Sequence, residues 1–217
     1  MSIRVYIVED QPKTLKGLSK VLETIGWIRL VGSSLDAETA LNELERLEVD
    51  VVVLDLELLR MDGLEMLAHL NTGKGHRPEV LVWTAFEDED KVFEAIRSGA
   101  SGYVLKSTPP SKVAEAIRIV HEGGSVLQPV IARRFLNLFR SLETSIPNDD
   151  GCPLGQEEKD VLSMVARGLS NKETSHVLEL SQRKVRSRLQ SIYKKLGAAG
   201  RVEAVTTALS KGWLRLQ

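Results

Sequence analysis

The chain has 217 residues, enough for two domains, with 42% apolar residues, 5% aromatics and a formal net charge of −1. No apolar run reaches the roughly 18 residues that a membrane span needs, and the first residues enter a strand pattern with no signal-peptide layout. A single cysteine, Cys152, excludes an internal disulfide framework, so the expected compartment is the cytosol.

In chain order, Ile3–Val8 reads as a strand that ends in acid, Glu9-Asp10. An amphipathic helix pattern covers Thr14–Thr24, and Ile28–Gly32 is the next strand. Over Ala37–Leu47, Ala40, Leu41, Leu44 and Leu47 recur at helical spacing among glutamates. The third strand, Val49–Leu54, contains four apolar residues in succession and then stops at Asp55. Such an unbroken run marks a strand buried on both faces, as in parallel sheets. Helix Leu64–Leu70, strand Val80–Thr84, helix Asp88–Ser98, strand Gly102–Leu105 and helix Lys112–Glu122 follow. Five strand-helix units in succession predict an α/β doubly wound, parallel five-stranded sheet with helices on both faces.

Gln128–Arg140 reads as a further helix, and Ser141–Pro153 has a linker composition of prolines, aspartates and glycine. Every later pattern is helical. Glu157–Arg167 is followed by a turn at Gly168-Leu169, where Ser170 or Asn171 would cap a short helix to Leu178. Ser181 would cap a helix to Leu196, Gly197 closes it, and Arg201–Leu209 is the last. Two short helices joined by a tight turn, the second strongly basic, make a helix-turn-helix layout in a small all-α domain. The expected division is residues 1–122, a linker over 123–153 with a helix around 128–140, and residues 154–217. Residues 151–217 hold 12 Lys/Arg against 6 Asp/Glu, leaving 17 against 24 for the first 150. Opposite signs in the two halves predict different partners, with nucleic acid for the basic one.

In open α/β sheets the carboxyl ends of the strands carry the ligand site. Glu9, Asp10 and Asp55 share that edge with Thr84, at the end of the fourth strand, and Lys106, after the fifth. Clustered carboxylates call for a cation, and hard oxygen donors suit Mg²⁺. A carboxylate, an ammonium and a hydroxyl gathered there fit phosphoryl transfer onto Asp55. These residues, with Asp62-Gly63, resemble the motif of the receiver domain of two-component response regulators, a flavodoxin-like fold. The resemblance implies that Asp55 is the phosphoacceptor for a sensor histidine kinase, assisted by Lys106 and Thr84. It implies Mg²⁺ held by Glu9, Asp10, Asp55 and the backbone carbonyl of Glu57. Thr84 and Tyr103 would form the switch, drawn inward on phosphorylation. Leu59 stands where the family usually has proline, and Ser107 where proline commonly follows the lysine.

Between Glu179 and Glu203 the sequence has no acid but many cations, with Val185, Leu189, Ile192 and Leu196 forming an apolar stripe. One face is core and the rest cationic, as major-groove insertion requires. Ala166 to Glu173 (ARGLSNKE) and Lys194-Lys195-Leu196-Gly197 resemble the LuxR-type (NarL/FixJ) DNA-binding domain. The resemblance places Arg183, Lys184, Val185, Arg186 and Ser187 at the start of the recognition helix. Arg188, Lys194 and Lys195 add to the DNA-binding charge, and the last helix resembles a dimerisation segment. Gly155-Gln156, Thr174, Lys184 and Arg188 depart from the family's usual residues, so a relative's DNA sequence preference does not transfer.

The two signatures together predict a transcription factor in which phosphorylation of Asp55 drives homodimerisation and sequence-specific DNA binding. Its partners would be DNA, the kinase, a second copy and, as a candidate, RNA polymerase, with no membrane. No turnover of a separate substrate is expected. A phosphatase with an aspartyl nucleophile would want aspartate where Glu57 stands. The remaining alternative is a DNA-binding regulator, independent of phosphorylation, whose first domain only dimerises or binds a ligand.

Overall fold

The computed structural model describes residues 2–72, 77–85, 89–126 and 151–214. The expected helix Gln128–Arg140 and most of the expected linker lie outside these residues. Five strands, β1 (Ile3–Val8), β2 (Ile28–Ser34), β3 (Val51–Leu54), β4 (Glu79–Thr84) and β5 (Gly102–Leu105), form one sheet in the order β2-β1-β3-β4-β5. All four pairings are parallel. β3 sits in the centre, which explains its uninterrupted apolar sequence: all four residues are buried.

Alternate side chains of each strand enter opposite faces of the sheet. Val51, Val53, Leu81, Trp83 and Val104 pack with helices α1 (Pro12–Glu23) and α5 (Pro110–His121). Val52, Leu54, Val80, Val82 and Tyr103 pack on the other face, with α2 (Ala37–Leu44), α3 (Gly63–Thr72) and α4 (Glu89–Arg97). The registers Val8↔Leu54, Leu54↔Val82 and Thr84↔Leu105 align the strand ends. Residues that follow them therefore meet at one edge.

β2 and α2 end at other residues than the sequence pattern predicts. β2 runs on to Ser34, because the pairing Val8↔Ser34 holds polar residues that an apolar pattern cannot show. α2 ends at Leu44 rather than Leu47, where the Arg46 N–H turns to the Glu43 carbonyl and tightens the chain.

The second half consists of α6 (Gln156–Ala166), α7 (Asn171–Val177), α8 (Gln182–Leu196) and α9 (Arg201–Ser210) around one apolar cluster. Ser170 caps α7, accepting from the Glu173 N–H while Glu173 reaches back to the Ser170 N–H at 2.7 Å. Ser181 caps α8, and Gly197, at φ 66°, ends it in the left-handed conformation that suits glycine.

The halves meet at the sheet edge opposite Asp55. The carbonyls of His121, Glu122 and Gly123, at the end of α5, receive Arg186, the Asn171 N–H (3.1 Å) and Arg201 in turn. A helix ends with carbonyls that lack partners and a partial negative charge; here the second half supplies the donors. Gly123 has φ +81°, and a Cβ there would lie 2.0 Å from the Asn171 amide, so only glycine fits this contact. Val202 of α9 packs against the α3/α4 face of the sheet. No helix among the described residues is long and apolar enough to cross a membrane.

Candidate functional site

Asp55 follows β3 directly and is fully buried, its N–H bonded to the Val8 carbonyl at 2.9 Å. Glu9, directly after β1, is equally buried. Lys106 is tied to the end of β4 by its N–H, which donates to the Thr84 carbonyl at 2.8 Å. Its ammonium lies 2.8 Å from Asp55 Oδ2, and 2.9 and 2.7 Å from the two Glu9 oxygens. It also sits 5.6 Å from the centroid of the Trp83 ring.

One ammonium cannot neutralise this group. Glu9, Asp10 and Asp55 each offer a carboxylate oxygen, all within 4.8 Å of one another. Burial pushes the Glu9 carboxyl above its usual range, against the pull of Lys106. Burial draws the Lys106 ammonium down, but its bonds to Asp55 and Glu9 outweigh that and raise it. Asp10 Oδ1 and Asp55 Oδ1 are buried with no hydrogen-bond partner among the described residues. Buried carboxylate oxygens require a cation or a donor. The donor set, all hard oxygen, fits a divalent ion such as Mg²⁺.

The supporting loop is shaped for the acceptor. The Asp62 carboxylate accepts from the Leu64 N–H at 2.9 Å at the start of α3. A Cβ on Gly63 would lie 2.4 Å from the Asp55 carbonyl oxygen, so glycine lets the chain pass behind the acceptor. Glu57 is exposed in the loop after β3. Leu59 is 69% exposed and is followed by Arg60 at φ 73°. Thr84 and Tyr103 are both fully buried. The Tyr103 ring is already inside the α3/α4 face, where the expected inward movement would have taken it.

The second expected site lies on α8. Val185, Leu189 and Ile192 are buried, so Val185 serves as core. Arg183, Lys184, Arg186, Ser187 and Lys194 are exposed. Two expected DNA-facing cations have acidic partners from α6: Arg188 with Glu157, and Lys195 with Glu158 at 2.7 Å. Glu158 also accepts from the Gly155 N–H (2.9 Å) and the Ser191 hydroxyl (2.7 Å). Burial works against its charge, but Lys195, Gly155 and Ser191 outweigh it and hold the carboxyl below its usual range. Arg186 is turned toward the His121 carbonyl, at 3.3 Å.

Residues 5–118 match the family model described as the response regulator receiver domain, and residues 153–208 that of the bacterial regulatory proteins, luxR family. The chain belongs to the response regulators with a LuxR-type DNA-binding domain. This response regulator is 32% identical to the transcriptional regulatory protein YdfI of Bacillus subtilis, over 98% of both chains. It is also 32% identical to the nitrate/nitrite response regulator protein NarP of Escherichia coli, over 96% of its own length and 95% of NarP. Among solved structures it is similar to the response regulator ChrA of a haem-sensing two-component system. That match has 30% identity, covers 95% of this chain and 96% of ChrA, and has a TM-score of 0.50. The response regulator thus joins a receiver to a DNA-binding domain and regulates transcription.

Sequence reasoning did not find the two glutamates of α6 that engage α8, nor the interdomain roles of Asn171 and Arg201. All four depend on tertiary contacts with residues 30 or more positions away. The absence of acids within the α8 segment itself concealed the glutamates. The expected end of the helix Lys112–Glu122 did not show what would cover it.

Proposed function

We propose that Asp55 accepts a phosphoryl group from a sensor histidine kinase, and that this modification controls dimerisation and DNA binding of the response regulator. The observation that carries the reading is the shared ammonium: Lys106 holds Asp55 Oδ2 and Glu9 while Asp55 Oδ1 has no hydrogen-bond partner among the described residues. That oxygen is the nucleophile. It forms a bond to phosphorus as the bond to the phosphohistidine nitrogen breaks, leaving an acyl phosphate on Asp55. Lys106 pairs with a transferred oxygen, and the Thr84 hydroxyl donates to another. Glu9, Asp10, Asp55 and the Glu57 carbonyl would hold Mg²⁺, which supplies charge neutralisation for the phosphoryl oxygens.

Before phosphorylation the chain is held closed, with Arg186 of the recognition helix on the end of α5 and Val202 of α9 on the receiver core. β4 connects the two ends, with Glu79 beside the interdomain contact and Thr84 beside the acceptor. Phosphorylation shifts the population toward an open form, free to dimerise and bind paired DNA half-sites. The protein works in the cytosol with the kinase, DNA and RNA polymerase as partners, and turns over no separate substrate. Labelling with acetyl phosphate and Mg²⁺, followed by DNA binding, tests this; a wild-type chain left unmodified at Asp55 defeats it.

The buried Tyr103 favours one second reading, since a ring already inside leaves less for phosphorylation to move. In it the receiver only dimerises or binds a ligand, and Asp55→Asn binds DNA as wild type does under phosphorylating conditions.

A further inference from the structure

A cleft of about 50 Å³ lies between the halves, at the sheet edge far from Asp55. One ordered water needs on the order of 10–15 Å³ by this measure, so the cleft has room for a group of a few heavy atoms. Four charged residues line it: Arg77 and Glu79 from the receiver, Arg186 and Arg201 from the DNA-binding domain. The Glu79 carboxylate accepts from the Ser101 hydroxyl at 2.5 Å. None of the three arginines forms an ion pair among the described residues. Three guanidinium groups thus face one carboxylate.

Arg201 is half-buried. Among the described residues its guanidinium donates to neutral oxygens, the carbonyls of Gly123 and Leu169 and the Asn171 side-chain oxygen at 3.3 Å. Burial lowers its pKa, and the pull of Tyr193, Glu79 and Glu173 does not make up for it. A buried charge without an opposite charge is costly, and bringing an anion to it recovers part of that cost. Tyr193 lines the same space, and a tyrosine hydroxyl is a possible donor.

We propose that the cleft binds a small oxyanion the size of inorganic phosphate or a short carboxylate, and that this anion fastens the two domains together. Arginine from both domains would contact it, so it binds the closed form and stabilises it by linkage. Arg186 then has two competing anions, this ligand and the DNA phosphate. The binding step does not depend on Asp55 being an acceptor; only its consequence for DNA rests on that reading.

The test is thermal unfolding of the full chain in EDTA, without phosphoryl donor. Inorganic phosphate, acetate and chloride are titrated separately at matched ionic strength. Phosphate or acetate should raise the unfolding midpoint saturably, beyond chloride, and the more effective of the two names the ligand. Arg77→Gln, which removes a cleft cation that makes no bond between the domains among the described residues, should weaken that effect roughly tenfold or more. Lys194→Gln, on the exposed basic surface of α8, should leave it unchanged. Equal stabilisation by chloride, no stabilisation, or a phosphate effect that survives Arg77→Gln would mean an adventitious ion only and would overturn the proposal.

Discussion

Lys106 and Asp55, 51 residues apart in sequence, meet at 2.8 Å in a site with more negative than positive side chains. The lysine is therefore a structural counter-ion and, on the proposed reading, also the partner of an incoming phosphoryl oxygen. Replacing it exposes the repulsion that it now offsets. Lys106→Ala should lose roughly 3 kcal/mol of stability in EDTA, the order expected when one partner of a mostly buried ion pair is removed. It should bind Mg²⁺ more tightly than wild type, because the competing cation has gone. Chemical denaturation with and without Mg²⁺ reads both, and Trp83, beside the lysine, gives a fluorescence signal.

The closed arrangement should respond to pH through His121. Burial lowers its pKa below 6.5, and Arg186 adds to that, while Asp50, Glu79 and Glu122 oppose it. The unfolded chain therefore binds the proton more readily than the folded one. Stability should be fully present above about pH 6.5 and decline as pH falls from there through the lower folded value. Unfolding midpoints between pH 5 and pH 8 in wild type and His121→Gln test this; the variant should lose part of the slope.

Gly123 is a close point of the interdomain contact. Gly123→Ala places a methyl group against the Asn171 amide and puts alanine in the left-handed region, itself about 1–2 kcal/mol unfavourable. The unphosphorylated variant should bind DNA more tightly than unphosphorylated wild type, with little change in acceptance of the phosphoryl group. Fluorescence anisotropy on a DNA duplex measures the first, and labelling of Asp55 the second.

The cations of α8 should divide into two groups. Lys184 and Lys194 are exposed and lack an acidic partner among the described residues, so removing either should flatten the salt dependence of DNA binding by about 0.9 in log–log slope if it meets a phosphate. Lys195 is engaged with Glu158, and its removal should change stability more than slope. Glu158→Ala, which strands three donors, should cost roughly 2 kcal/mol. Salt titrations of DNA binding together with melting curves separate the groups.

The receiver was legible in the sequence because its signals are local. Val51–Leu54 followed by Asp55 shows a buried strand and its functional end in five letters, and parallel pairing brings such ends to one edge. Ser170, Ser181 and Gly197 marked helix ends by chemistry that acts within one turn. What escaped depends on side chains meeting across the fold. Lys195 reads as DNA-facing until α6 brings Glu158 to it, and Arg201 reads as a helix-start cation until Gly123 and Leu169 close around it. Tyr103 is the middle case: its position was visible, but whether its ring lies in or out was not.

If phosphorylation is the switch, chemistry at Asp55 governs DNA binding at the far end of the chain. The direct measurement is intact-protein mass after treatment with acetyl phosphate and Mg²⁺, paired with DNA affinity on the same samples. Wild type should gain one phosphoryl group and bind DNA more tightly, while Asp55→Asn gains none and stays at the unphosphorylated affinity. A wild-type chain that gains no group, or whose gained group leaves DNA affinity unchanged, would show that Asp55 does not control DNA binding.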